Sequence, residues 1–205
     1  MAMDQNNDNV AVEQLVKDIK RSFRPMMNGV VAQSMREKGA KGLLNWGIRL
    51  VDLRLMAKQY QPSRSLALAL WKENVRECKL LATMLMPPQE MLPEFVDVWV
   101  EQTDSQELAE ASAFHLYQHL DYAPLLAYQW MASDKPLVQY MGLLVITRLL
   151  RQSLIPDERG IHELIDQAQT ALQSEHLFLK KAALQALTSL TDACPEINLG
   201  IPKIT

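Results

Sequence analysis

The stretch Thr103–Leu120, TDSQELAEASAFHLYQHL, decides how the chain is read. Wound at helical spacing, Leu108, Ala109, Ser112, Ala113, Leu116 and Leu120 fall on one face. The polar residues Thr103, Asp104 and Ser105 ahead of that run are a helix-start signal. The spacing therefore predicts one amphipathic helix over 103–120. Gln106 and Glu110 are four apart, so they lie together at the edge of the apolar face, beside Tyr117.

The same rhythm continues on both sides. Upstream, helical spacing covers 10–23, 26–38, 50–60, 61–71, 75–86 and 90–102. In the 50–60 helix it points Leu50, Leu53, Leu55 and Met56 inward. Downstream it covers 121–133, 136–152, 157–172 and 175–193, and the 136–152 segment is apolar nearly all round, so it belongs at the centre. Residues 1–9 read as disordered and 194–205 as an irregular tail. Prolines sit near many helix starts, where a missing N–H costs nothing. No window alternates with period two, so a sheet is not expected. Helix pairs begin near Pro62, Pro88, Pro124 and Pro156, at intervals of 26, 36 and 32 residues. The pattern predicts an all-α protein, an α–α superhelical solenoid of antiparallel helix pairs forming a single domain over 10–193, with a concave face for binding.

Charge is unevenly placed. Residues 1–80 carry 14 Lys/Arg and 8 Asp/Glu, and residues 81–205 carry 7 and 16, which together give the chain's net charge of -3. A nucleic-acid backbone would need the basic first half: Arg49, Arg54, Lys58 and Arg64, then Lys72, Arg76 and Lys79. No stretch approaches the roughly 20 apolar residues of a membrane helix, so no membrane partner is expected. Cys78 and Cys194 form no C-x-x-C, and the polar, acidic N-terminus resembles no export signal, which reads as a reduced, cytoplasmic protein. His115 and His119 are spaced i, i+4 but lack the Glu of H-E-x-x-H, and a solvated or packed pair is preferred over a metal site. Trp46, Trp71, Trp99 and Trp130 fall on or beside apolar stripes and read as core, with a stacking role for Trp46 as the minority reading. No phosphate loop is present, and neither metal nor cofactor is expected.

Several stretches, in order, resemble the DNA alkylation repair family of HEAT-like-repeat DNA glycosylases (AlkD-like). They are MNGVVAQSMREKG (27–39), NWGIRLVDLRLMAKQY (45–60), LALALWKENVRECKLLATMLMPP (66–88) and FVDVWVEQTDS (95–105). The resemblance implies a HEAT-like fold and excision of purines alkylated at N3 or N7. That chemistry leaves an oxocarbenium-like sugar, which a carboxylate must stabilise while positioning water. The family pattern puts a tryptophan at Gln106, the catalytic aspartate at Glu110, a phosphate-binding arginine at Tyr140, and a tryptophan and arginine at Gln185 and Thr188. All five differ here. Glu110 keeps a carboxylate with one more methylene, and a misplacement of about 1 Å can lower rate on the order of 10²-fold. Lys181 shares a helix face with Gln185 and Thr188 and could replace one phosphate contact.

Two functions follow. The favoured one is a divergent, non-catalytic scaffold whose binding face includes Gln106, Tyr140, Lys181, Gln185 and Thr188, with double-stranded DNA or a protein as partner. The alternative is an active glycosylase with Glu110 as its catalytic carboxylate.

Overall fold

The computed structural model describes residues 2–37 and 42–197, with side chains from Val10 onward. Helices dominate, and among the described residues the only β pairing is an isolated bridge between Leu44 and Val75. Packing divides the chain into two compact units, Met1–Pro93 and Glu94–Thr205.

The first unit contains α1 (Ala2–Ser22), α2 (Gly29–Glu37), α3 (Leu50–Ala57), α4 (Arg64–Lys72) and α5 (Arg76–Leu85). Helix α5 packs against α4 and α3, and α1 packs on α4. Ser63 caps α4 by accepting from the Leu66 N–H, one of the four donors a helix start leaves unpaired. The connector before α3 is held by a buried carboxylate. Glu77, fully buried on α5, accepts from the N–H groups of Trp46 and Ile48 and from Arg76 Nη1 at 2.9 Å. Arg76 Nη1 also donates to the Ile48 carbonyl at 3.0 Å. Gly47 makes this path possible. Its φ is +73°, and a Cβ there would sit 2.2 Å from the Asn28 carbonyl oxygen.

The second unit contains α6 (Pro93–Glu101), which opens at the boundary, then α7 (Gln106–His115), α8 (Ala123–Met131), α9 (Pro136–Arg151), α10 (Glu158–Leu172) and α11 (Leu177–Ala193). Helix α9 is the centre, packed by α7, α8 and α11, and it buries Met141, Leu143, Val145, Ile146, Leu149 and Leu150. Close approach to α8 requires Gly142, where a Cβ would come within 2.5 Å of the Met131 amide nitrogen. The predicted apolar face of 103–120 is buried at all six positions.

Several boundaries differ from the sequence reading. Backbone helix starts at Ala2, within the stretch 1–9 expected to be disordered, because extending an existing helix costs far less than nucleating one. The 103–120 segment is not one helix. Leu116, at φ −129° and ψ −64°, ends α7, and Tyr117–His119 form a short 3-10 turn. That break turns Tyr117 into the core, fully buried and edge-on to Trp130 with centroids 5.1 Å apart, instead of beside Gln106 and Glu110. It also removes the shared helical face of His115 and His119. Helix α3 stops at Ala57, and Leu55 is 57% exposed, so only Leu53 and Met56 of the four expected residues are buried. Trp71, Trp99 and Trp130 are core, whereas Trp46 is half-buried and packs edge-on to Phe23 at 5.2 Å. Of the expected tail 194–205, Cys194–Ile197 are non-helical and the rest lies outside the described residues. Among the described residues no helix is long and apolar enough to cross a membrane.

Candidate functional site

A cavity of about 640 Å³ opens in the second unit between α7, α9 and the start of α11. Its position follows from helix starts. Ser105 accepts from the Leu108 N–H and fixes the first turn of α7, so Gln106 and Glu110 stand one turn apart on its exposed side. Helix α9 begins at Pro136 and presents Tyr140 one turn in. Helix α11 contributes Phe178, Lys181 and Gln185.

These side chains are organised around one short contact. Tyr140 Oη donates to Glu110 Oε1 at 2.6 Å, a hydrogen bond to a charged acceptor. Tyr140 is 7% exposed, and its ring meets Phe178 edge-on with centroids 5.1 Å apart and planes at 76°. Burial pushes the Tyr140 hydroxyl well above the ordinary tyrosine range, and its donation to Glu110 and the nearby carboxylate charge push it further. The phenol therefore stays protonated and keeps donating at any physiological pH. His176, just before α11, lies tilted against Phe178 at 5.2 Å. Glu175 adds a second carboxylate to the wall, and Lys181 is the one cation among the described lining residues.

Gln106, Glu110, Tyr140, Lys181 and Gln185 thus line one cavity. Thr188 does not line it, and its hydroxyl donates to the Leu184 carbonyl on its own helix at 2.8 Å. Phe178 is a further lining residue, and its sequence signal is its place three and seven residues before Lys181 and Gln185, which puts the three on one face of α11. Arg151, on the same face of α9 as Tyr140, is about 16 Å further along the helix by its rise. Its Nε donates to Ser189 Oγ at 3.3 Å.

The basic residues of the first unit separate into two groups. Arg54, Lys58 and Lys72 are exposed. Arg49 is exposed but pairs with Asp52 at 2.7 Å, and Arg64 lies 3.8 Å from Glu90. Arg76 and Lys79 are corrections to the sequence reading. Both are 7% exposed. Arg76 is bound to Glu77 and the Ile48 carbonyl, and Lys79 donates to the Trp71 carbonyl at 3.1 Å while lying over the Trp71 ring. Neither is placed to reach a ligand phosphate; a cation within a helical stretch looks the same in sequence whether it faces water or the core.

The described residues are almost wholly α-helical in both units. The family model described as "DNA alkylation repair enzyme" matches residues 19–197, and this chain belongs to that family. A solved structure described as "a new family of proteins related to the HEAT-like repeat DNA glycosylases with affinity for branched DNA structures" superposes with a TM-score of 0.76, covering 88% of this chain and 77% of that one at 16% identity. At that identity the likeness shows the HEAT-like fold. No curated protein matches the chain.

Proposed function

We propose that this chain is a DNA-binding member of the DNA alkylation repair family that does not excise bases. One observation carries the non-catalytic part. The carboxylate at the catalytic position, Glu110, holds a neutral phenol at 2.6 Å where the family pattern has a phosphate-binding arginine. A phenol cannot neutralise a phosphate. Tyr140 also occupies a lone pair that a water-positioning carboxylate would use. Gln106 and Gln185 stand where the pattern has tryptophans, so the aromatic grip on the backbone is gone from those two places. Glu175 in the wall adds negative charge that opposes a phosphate.

DNA binding is supported by family membership, by the affinity of the structural relative for branched DNA, and by exposed Arg54, Lys58 and Lys72. The backbone contacts are assigned to that basic surface of the first unit. The test is binding to duplex and four-way-junction DNA across a salt series. Binding that weakens linearly in log–log form supports the reading, and each neutralised phosphate contact contributes about 0.9 to the slope. Lys58→Glu with Lys72→Glu should flatten it. A salt-independent or absent response contradicts DNA binding and leaves a protein as the partner.

A further inference from the structure

Away from the cavity, the second unit leaves a helix face uncovered. Helix α6 buries Val96 and Trp99 and turns Glu94, Asp97, Val98 and Glu101 to solvent. Those four are spaced i, i+3, i+4 and i+7, so they form one stripe, in which Val98 is 47% exposed. The start of α8 lies beside it. Burial pushes the Tyr122 hydroxyl above its ordinary value, and the charges of Glu94 and Asp97 push it further, which places that ring near α6. Asp121, just before Tyr122, is exposed, and Leu125, one turn on, is 68% exposed. The surface thus combines exposed apolar side chains with four carboxylates.

Its charge is left standing. None of the four carboxylates makes an ion pair among the described residues. Residues 81–146 hold nine carboxylates, one lysine and no arginine. That lysine, Lys135, lies beyond the opposite end of α8 from Tyr122, a helix about 14 Å long by its rise. The arrangement works against α6 itself, because like charges three and four apart repel, as in Glu94 with Asp97 and Asp97 with Glu101. Glu101 also stands in the last turn, where the helix dipole disfavours an anion. Exposed apolar side chains among charges of one sign are the anatomy of an interface whose partner carries the other sign. Charge complementarity excludes nucleic acid and an anionic membrane, both of which this surface repels. A small polycation would satisfy the carboxylates and leave Val98 and Leu125 in water. A helix with apolar residues three and four apart, flanked by lysine or arginine, meets both needs.

We propose that α6 and the start of α8 form a docking surface for a basic amphipathic helix of a partner protein, with Val98 and Leu125 against its apolar side chains and Glu94, Asp97, Glu101 and Asp121 against its cations. The surface uses none of the cavity residues and none of those assigned to DNA, so it stands or falls independently of DNA binding.

The test uses the intact chain and synthetic peptides as long as α6. One has leucine and lysine at amphipathic helical spacing, one has glutamate in place of lysine, and one has lysine without leucine. Binding is followed by calorimetric titration and located by amide NMR shifts. The leucine–lysine peptide should bind at α6 and the start of α8, and the other two at least about 10-fold more weakly. Glu94→Lys with Glu101→Lys should weaken its binding about 10-fold or more. Glu163→Lys with Asp166→Lys, the same charge change at exposed positions of α10, should leave it nearly unchanged. Val98→Ser with Leu125→Ser keeps every charge and should also weaken it about 10-fold. All the substituted positions are exposed, so the variants keep the fold. Equal losses in the two charge-reversed pairs would make the binding a general charge effect and overturn the proposal. So would absent binding, full affinity of the leucine-free peptide, or shifts mapped elsewhere. Sedimentation of the chain alone completes the test: self-association abolished by Val98→Ser with Leu125→Ser would make a second copy the occupant and overturn the proposal as well.

Discussion

Arg76 and Glu77 allow a sharp test of which charges in the first unit are structural. Glu77 is fully buried, and its carboxylate joins Arg76 to the N–H groups of Trp46 and Ile48. Glu77→Ala removes the buried carboxylate to which Arg76 Nη1 donates and takes the acceptor from two backbone donors. Breaking one side of a buried pair costs about 3–5 kcal/mol. Two lost backbone bonds place this case at the upper end of that range. With a urea slope of about 2 kcal/mol/M the midpoint should fall by about 2 M. Replacing both residues, Arg76→Met with Glu77→Met, removes both charges together and should cost less than the two single substitutions added together. The second assay is DNA binding against salt. Arg76→Met should leave the slope unchanged, whereas neutralising a true phosphate contact lowers it by about one. The reasoning is refuted if Glu77→Ala costs less than about 1 kcal/mol, or if Arg76→Met leaves stability intact and reduces the salt slope.

Gly47→Ala should destabilise by at least about 1–3 kcal/mol, since a side chain is forced into left-handed backbone and against the Asn28 carbonyl; an unchanged denaturation midpoint would show that the connector path is wrong. Alkaline pH should weaken the fold. Tyr117, Tyr128 and Tyr140 hold their protons above the ordinary range because of burial, Tyr128 up to about 12. Above pH about 10 the folded state then binds more protons than the unfolded one, so stability is fully present below that pH and falls as pH rises. Urea midpoints from pH 8 to 11 should show this decline, and Tyr140→Phe should make it shallower; an equal slope in the variant would contradict the buried, donating phenol. The single domain read over residues 10–193 predicts one cooperative unfolding transition by calorimetry, while two separated transitions would make the units Met1–Pro93 and Glu94–Thr205 independent.

Much of the fold was legible because its cause is local. Apolar spacing and proline starts placed α8 to α11 closely, and the six-residue face of 103–120 is buried as spaced. The errors have tertiary causes. Nothing in QELAEASAFHLYQHL signals that Leu116 breaks the helix, and that break exchanges Tyr117 for Tyr140 as the neighbour of Glu110. Leu55 looks like core in sequence and faces out, because α3 is only eight residues long and packs through Leu53 and Met56. Buried Arg76 and Lys79 resemble surface cations until their partners, 28 residues away at Ile48 and eight away at Trp71, are located. For the site, the family resemblance grouped Gln106, Glu110, Tyr140, Gln185 and Thr188; the first four line one cavity and Thr188 does not, and the Tyr140–Glu110 bond joins residues 30 apart and needed the fold.

The central claim is that this family member has given up base excision. Incubating the chain with duplex DNA carrying N3- and N7-methylated purines, and following release of free base, tests it directly. The account predicts release no faster than spontaneous depurination, with Glu110→Ala indistinguishable from the unsubstituted chain. Release well above that background, abolished by Glu110→Ala, would contradict it and make Glu110 a catalytic carboxylate.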